Sequence, residues 1–306
     1  MENILVEIKN LSKIFISHKK KFKILALNDI NMVIPDRTIV GLIGESGSGK
    51  STLAKILVGL EKYDSGKINI NYKDSFNIFQ IIFQDPFSSF NPTFTIKKSL
   101  LEPIYLNKKL FKNIDKEKLL VETLTEVNLL PPSYYLEKYP YELSGGELQR
   151  AAFARAIISK PKIIIADEPA SMLDASIRVG ILNLLKKLRD DLGISILFIT
   201  HDIFQALYVT DYLYVIYLGE IMECGSTKEI IYNPYHPYTK GLIDSILTSD
   251  EDRIPVPMQG EIPSPFNLPE GCVFQSRCPF KKDVCINKKP ELRKIDNRCV
   301  KCYLYP

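Results

Sequence analysis

Gly44-Glu45-Ser46-Gly47-Ser48-Gly49-Lys50-Ser51 fits the pattern G-x-x-x-x-G-K-[ST] in full, and its flanks decide the fold. Residues 38–43 (Thr-Ile-Val-Gly-Leu-Ile) read as a buried strand, and Ser51-Thr52-Leu53-Ala54-Lys55-Ile56-Leu57 opens a helix. Strand, glycine loop and helix in that order make a phosphate cradle, because glycines let backbone N–H groups wrap around an anion. Lys50 is expected to reach the β- and γ-phosphates of ATP and Ser51 to bind Mg²⁺. The whole run Gly44 to Thr52 is the expected nucleotide contact.

Working outward, Leu143-Ser144-Gly145-Gly146-Glu147-Leu148-Gln149-Arg150 places a hydroxyl and unobstructed N–H groups at a helix start, a second anion site. One nucleotide does not need two cradles from one chain, so Ser144, Gly145 and Gly146 are expected to serve ATP held by a neighbouring molecule. Ile163-Ile164-Ile165-Ala166-Asp167-Glu168-Pro169 reads as a central parallel strand buried on both faces and ending in two acids. The carboxyl end of such a strand is where an open α/β sheet binds its ligand. Asp167 is expected to hold Mg²⁺ through water. Glu168 is placed to polarise the attacking water, a general-base role worth ~10²–10⁴-fold in rate.

With these elements in this order the chain resembles the ATP-binding cassette (ABC) ATPases. The resemblance implies a P-loop NTPase of the α/β class. Its parts would be a RecA-like parallel-sheet core, an antiparallel β subdomain, a helical insertion and a Cys-rich C-terminal extension. It also implies roles for four further residues. Phe15 would stack on adenine, with Phe22 as an alternative. Gln84, in Phe83-Gln84-Asp85-Pro86, would touch Mg²⁺ and sense a membrane partner. Asp174, in Ser171-Met172-Leu173-Asp174, would cross to the opposite subunit. His201, after the apolar run 194–200, would hydrogen-bond the γ-phosphate. Glu147 stands where the family usually has Gln, and Met172 where it usually has Ala; neither change removes a group from the chemistry.

Segment by segment, residues 1–86 mix strands with the P-loop helix, and residues from about 87 to 158 turn helical. Within the latter, a helix over Asp115 to Leu130 is read from Leu119, Leu120, Leu124, Val127 and Leu130, broken by Pro131-Pro132. Strand and helix then alternate over residues 161–247, with Tyr212 to Met222 read as strand, turn and strand. The expected division is a nucleotide-binding domain over 1–248 and a Pro/Cys-rich extension over 249–306. No internal repeat is present, so one chain supplies one nucleotide-binding unit and must pair to hydrolyse.

The 306 residues suffice for a sizeable core, and a net charge of +4 leaves no strong nucleic-acid footprint. No run approaches the ~18 apolar residues of a spanning helix. No basic region followed by an apolar core opens the chain, so no signal peptide is expected. The basic stretch His18-Lys19-Lys20-Lys21-Phe22-Lys23 is read as a solvated hairpin tip, with contact to lipid headgroups as the alternative. The expected location is the cytoplasmic face of the cell membrane, as a peripheral subunit.

The tail narrows the family. Asn233-Pro234-Tyr235-His236-Pro237-Tyr238-Thr239-Lys240, then Gly260-Glu261-Ile262-Pro263-Ser264-Pro265, then Gly271-Cys272-Val273-Phe274-Gln275-Ser276-Arg277-Cys278-Pro279 resemble the C-terminal extension of oligopeptide/dipeptide/nickel importer ATPases, nearer their second, "F"-type subunit. That resemblance implies several partners: two membrane permease subunits, a second ABC ATPase (a paralogue or an identical copy) and an extracellular solute-binding protein. The function it implies is ATP hydrolysis powering import of oligopeptides or dipeptides. Nickel or oligosaccharide cargo, and a soluble non-transport ABC ATPase, are the alternatives.

Of six cysteines, five crowd the end of the chain at 272, 278, 285, 299 and 302, while Cys224 is isolated and reads as core. In a cytoplasmic protein such a cluster argues for metal over disulfides. Spacing alone leaves iron–sulfur and zinc open: Cys299-x-x-Cys302 suits a zinc knuckle, and the other gaps do not. The resemblance implies a [4Fe–4S] cluster on Cys272, Cys278, Cys285 and Cys302, with Cys299 as the rival fourth ligand.

Overall fold

The computed structural model describes residues 3–17, 22–72, 78–109, 111–245, 258, 260–266, 268–305. The expected hairpin tip at Lys19–Lys21, and Pro255 and Pro257 of the extension, lie outside the described residues. The chain forms two compact units: Met1–Pro35, Ile39–Asn71 and Phe198–Pro306 make the first, and Asp36–Thr38 with Tyr72–Leu197 the second.

The first unit opens with β1 (Ile4–Ser17) antiparallel to β2 (Phe22–Pro35), with Ile8 opposite Met32 and Phe15 opposite Ile24. In β2, Ile30, Met32 and Ile34 alternate into the core, the period of two expected of a strand with one buried face. Next come β3 (Ile39–Ile43), buried at every position, then α1 (Lys50–Leu57), then β4 (Ser65–Ile70), which pairs with the other edge of β1. The order β2-β1-β4 is the antiparallel sheet of the expected fold class.

The second unit runs from β5 (Phe79–Ile82) through α2 (Pro86–Ser89), α3 (Ile96–Leu106), α4 (Lys116–Glu126), α5 (Pro132–Leu136) and α6 (Gly145–Ile157). It continues with β6 (Ile163–Asp167) and α7 (Ala175–Asp190). β5 and β6 pair in parallel, Ile81 opposite Ile165. Asp85, Thr95, Asp115 and Ser144 cap α2, α3, α4 and α6 with side-chain oxygens that accept orphan N–H groups. α4 stops earlier than the apolar spacing suggested. Asn128 takes φ 58°, its N–H donates to Thr125 O, and the Leu129 N–H donates to Leu124 O. Those two bonds make a Schellman stop, and Asn tolerates the left-handed conformation it needs. Leu129 is consequently buried and Leu130 is exposed.

In β7 (Ser195–Thr200), buried throughout, the chain leaves the second unit for the first. There follow α8 (Ile203–Val209), β8 (Tyr212–Tyr217), β9 (Glu220–Ser226), α9 (Thr227–Tyr232), α10 (Pro237–Asp244), α11 (Val284–Asn287), β10 (Arg293–Ile295) and β11 (Arg298–Val300). β3 pairs in parallel with β8, which turns tightly into antiparallel β9, and β11 and β10 extend this edge. The core here joins Ile43, Val215, Tyr217 and Met222 to Tyr238, Cys272 and Phe274. Residues from the Cys-rich tail are therefore core residues of the unit that carries the phosphate loop.

Candidate functional site

In the first unit the loop 44–49 leaves the end of β3 and turns directly into α1, so the N–H groups of a helix start face the loop's mouth. Gly49 sits at φ 105° as the N-cap, and a Cβ there would approach the Ala26 carbonyl to 2.6 Å. A Cβ on Gly44 would strike the Ile216 carbonyl. Both positions therefore admit only glycine. Lys50 is buried, and its Nζ donates to Gly44 O (2.7 Å) and Glu45 O (2.9 Å), with Ser48 Oγ at 3.4 Å. The ammonium is thus folded back over its own loop. Ser46, Gly47 and Ser51 are exposed, and Thr52 is half-buried.

Sequence reasoning missed how this loop is held. Arg277 Nη1 donates to Glu45 Oε2 at 2.7 Å and Nη2 to Oε1 at 3.1 Å, while the Glu45 N–H donates to Tyr238 Oη at 3.0 Å. Arg277 is buried, and Tyr217 Oη lies 3.5 Å from its Nη1. Charge-assisted bonds to Glu45 and Tyr217 push the guanidinium further up against the opposing effect of its own burial. The only signal in the sequence was an arginine inside the Cys272–Cys278 motif.

His201 is exposed, one residue past buried β7. It is fixed there by Asp202, which caps α8 through the N–H groups of Phe204 (2.9 Å) and Gln205 (3.2 Å). Phe15 lies on β1 with Lys13 Nζ 4.9 Å from its ring centre, and that ammonium is paired with Glu61 at 2.7 Å. Phe22 instead packs on Phe266, with ring centres 5.4 Å apart.

Cys272, Cys278, Cys285 and Cys302 line one small pocket that Phe274 and Phe280 also wall. Burial pushes the Cys272 thiol up to about 12 and raises those of Cys278 and Cys302. Cys299 faces elsewhere: it lies opposite Cys224 across the β9–β11 pair and shares a hydrogen bond with it, which pushes its own thiol down. Among the described residues no group of three or more His, Cys, Asp or Glu side chains is arranged to hold a metal ion. The four cysteines nevertheless put four soft sulfur donors on one largely apolar pocket, the donor chemistry a thiolate-held group needs.

In the second unit, Ser144 caps α6 and is exposed, and Gly146 is buried against Ile177. Glu147 closes a capping box. Its Oε2 accepts the Ser144 Oγ–H (2.7 Å) and N–H (2.9 Å), and its Oε1 accepts the Tyr135 hydroxyl (2.9 Å). Hydrogen bonds from Ser144 hold its carboxyl below the usual range. Asp167 ends β6, and Glu168 follows at φ 49°, a left-handed backbone that side chains rarely adopt. The Ser171 N–H (3.3 Å) and Oγ–H (3.1 Å) both donate to the Glu168 carbonyl and pin that turn. Gln84 is exposed just beyond β5. Asp174 is exposed at the N-cap of α7, where its side chain makes no capping bond.

The chain matches the ABC transporter family over residues 27–171 and the oligopeptide/dipeptide transporter C-terminal region over residues 222–285. It is 38% identical to the putative oligopeptide transport ATP-binding protein YkfD of Bacillus subtilis, over 98% of this chain and 95% of that one. It is 37% identical to the oligopeptide transport ATP-binding protein OppF of Salmonella typhimurium, over 90% and 87%. Among solved structures it resembles cbiO1 from Clostridium perfringens, part of an ABC transporter complex. That match has a TM-score of 0.64 and 25% identity, covering 76% of this chain and 92% of that one. A dimeric ATP-binding cassette in a post-hydrolysis state with ADP and Pi matches with a TM-score of 0.62 and 28% identity, covering 73% and 99%. No described helix is long and apolar enough to cross a membrane.

Proposed function

The chain belongs to the ABC ATPases of the oligopeptide/dipeptide transporters, and from that premise we propose that two cassettes close head-to-tail around two ATP molecules to drive a membrane permease. It is an ATPase whose hydrolysis powers oligopeptide import. In the proposed assembly the second cassette is a paralogue or an identical copy. Two permease subunits dock on the pair, a solute-binding protein delivers cargo from outside, and the chain is peripheral on the cytoplasmic face.

Phosphoryl transfer to water is mostly positioning and charge stabilisation, and the residue roles follow from that. Lys50, Ser51 and the loop N–H groups bind the phosphates. Ser51, Gln84 and Asp167 would hold Mg²⁺, which would offset the charge of the phosphates. Glu168 polarises the attacking water, and His201 contacts the γ-phosphate. Ser144, Gly145, Gly146 and Asp174 serve the neighbour's nucleotide, and Phe15 stacks on adenine. The observation that carries the reading is the pairing of a complete phosphate loop with the transporter-specific C-terminal region in one chain.

The four pocket thiols are proposed to hold a [4Fe–4S] cluster, supported by the chemistry of four sulfurs on one pocket. Zinc is the alternative. Iron and acid-labile sulfide assays on anaerobically purified protein decide between them.

The test of the transport reading is gentle anaerobic purification of the tagged chain from its own membranes. Co-purification of two polytopic permeases, a second ATPase and a solute-binding protein is expected, and the binding protein's ligand identifies the cargo. Ribosomes, DNA or an absence of membrane proteins would overturn the transport assignment.

A further inference from the structure

Glu45 is the second residue of the phosphate loop, and each of its polar parts is held. Arg277 grips the carboxylate with both Nη atoms, Tyr238 Oη takes the backbone N–H, and Lys50 Nζ donates to the carbonyl. Two of these three partners lie far beyond the loop in sequence, and Arg277 is 232 residues away. Both belong to one buried aromatic group: Tyr217 packs on Tyr238 with centres 4.7 Å apart and edge-on to Phe274 at 5.4 Å.

The turn that carries Arg277 is itself rigid. The Arg277 N–H donates to Phe274 O (3.1 Å), the Gln275 N–H to Cys272 O (3.1 Å), and the Cys272 N–H to Cys285 O (2.9 Å). Phe274 is buried in the core that includes Ile43, the residue that ends β3 just before the loop. Arg277 is thus fixed at its backbone by the cysteine turn and at its guanidinium by the phosphate loop.

The electrostatics favour a purpose for this pair. A carboxylate on the rim of a triphosphate site opposes the ligand's charge. Paired bidentately with a buried guanidinium, that carboxylate is neutralised and held to one orientation. A surface ion pair contributes little, but this one is shielded: the Arg277 side chain is 7% exposed and that of Glu45 21%. Removing the arginine would leave Glu45 both unpaired and free to swing toward the anion.

We propose that Arg277 is a positioning residue for ATP binding, and that through it the cysteine turn 272–278 sets the shape and charge of the phosphate loop. The inference rests on the assignment of ATP to that loop. The turn is a strut between the C-terminal region and the nucleotide, and its cargo-independent role is to keep Glu45 off the phosphates.

The test is a double-mutant cycle on the full chain, measuring ATP and ADP dissociation constants with thermal melting of every variant alongside. Arg277→Met is expected to weaken ATP binding about tenfold, and the uncharged pairing in Glu45→Gln/Arg277→Met to restore it to within about threefold of wild type. In the assembled transporter the loss should appear in KM and leave kcat within about twofold. Arg277→Lys, which keeps the charge and loses the fork, should fall between the two and covers the case in which Arg277→Met does not fold. Equal affinity in wild type, Arg277→Met and Arg277→Lys would overturn the proposal. So would a double variant as weak as Arg277→Met, since the charge left on Glu45 would then not be what weakens ATP binding. Lys50→Ala separates this from the assignment beneath it: if that variant binds ATP normally, the loop assignment itself fails.

Discussion

Ser144 donates both its hydroxyl and its backbone N–H to one oxygen of Glu147, at 2.7 and 2.9 Å. The two groups that sequence reasoning assigned to a neighbour's phosphate are therefore already occupied by a carboxylate. That carboxylate lies at the positive end of α6, where the proposed assembly puts the neighbour's phosphate. If Ser144 serves a neighbour's phosphate as proposed, the glutamate removes no group from the chemistry but competes for Ser144.

Glu147→Gln should relieve that competition. A neutral amide can still accept from the Ser144 N–H but does not repel the γ-phosphate. The expected result is ATP-driven pairing of cassettes at several-fold lower ATP concentration, with a small loss in melting temperature from the weaker cap. Light scattering against ATP concentration, in a Glu168→Gln background that prevents turnover, reads it. Unchanged or weaker pairing would mean that Glu147 swings clear of the phosphate at no cost.

Glu168 holds a left-handed backbone that the Ser171 bonds enforce, and such conformations cost of order 1–2 kcal/mol for a residue with a Cβ. That cost falls on the residue proposed to polarise the attacking water, and a placed catalytic group is one reason for a fold to maintain it. Glu168→Gln keeps the shape and removes the base. ATP binding should persist while turnover in the purified transporter falls at least ~10²-fold. Near-normal turnover would remove Glu168 from the role of water-polarising base.

What could be read in the sequence was what is local. The phosphate loop, the acidic strand end and the Ser-Gly-Gly helix start each occupy a few adjacent residues, and Gly44, Gly49 and Gly146 mark where the chain passes too close to its own neighbours for a Cβ. The grip of Arg277 on Glu45 was not legible, because nothing periodic links positions 232 residues apart. The end of α4 was missed because Leu130 continues the apolar spacing while Asn128 has already reversed the chain. Cys299 and Cys302 could not be separated by spacing. Pairing could separate them: Cys299 sits in β11 opposite Cys224, and Cys302 lies beyond the strand in the pocket of the other three.

His236 provides a pH test of the first unit. Its ring is buried, its Nδ1 accepts the Tyr238 N–H at 3.0 Å, and it bonds the Lys301 backbone. The charged groups nearby are Glu223, whose Oε2 takes the His236 backbone N–H at 2.9 Å, and Arg298, which anchors Asn233. Burial pushes the imidazole down to about 3, so it stays neutral in the folded state. The unfolded chain binds this proton near pH 6.5 and the folded one does not until about pH 3. Stability is therefore complete above pH 6.5 and is lost as pH falls through that window, with a slope of up to about 1.4 kcal/mol per pH unit. His236→Asn keeps a capping acceptor without the proton site. Urea unfolding at pH 7.5 and 5.5 should show a larger drop for wild type than for His236→Asn, and equal drops would mean that the ring reaches solvent.

The two glycines of the helix-start motif are not equivalent, and the difference isolates a contact made by a neighbour. A Cβ on Gly146 would lie 2.5 Å from Ile177 Cγ2, so Gly146→Ala must displace α7 and damages the monomer whatever else it does. A Cβ on Gly145 meets only Leu173 Cδ2 at 3.5 Å, an ordinary contact. Gly145 is the first residue of α6 and takes no positive φ, so alanine there is tolerated by the isolated chain and even favoured by its helix propensity. If the N–H groups at this helix start bind phosphate only across a dimer, Gly145→Ala should leave melting temperature and monomer ATP affinity unchanged or slightly improved. In the same variant, ATP-driven pairing and transporter ATPase activity should fall by at least tenfold, because the new methyl stands where the neighbour's γ-phosphate must approach. Melting, nucleotide binding and turnover measured on the one protein decide it. Loss of monomer affinity would place the phosphate contact within the same chain, and full turnover would remove Gly145 from the site.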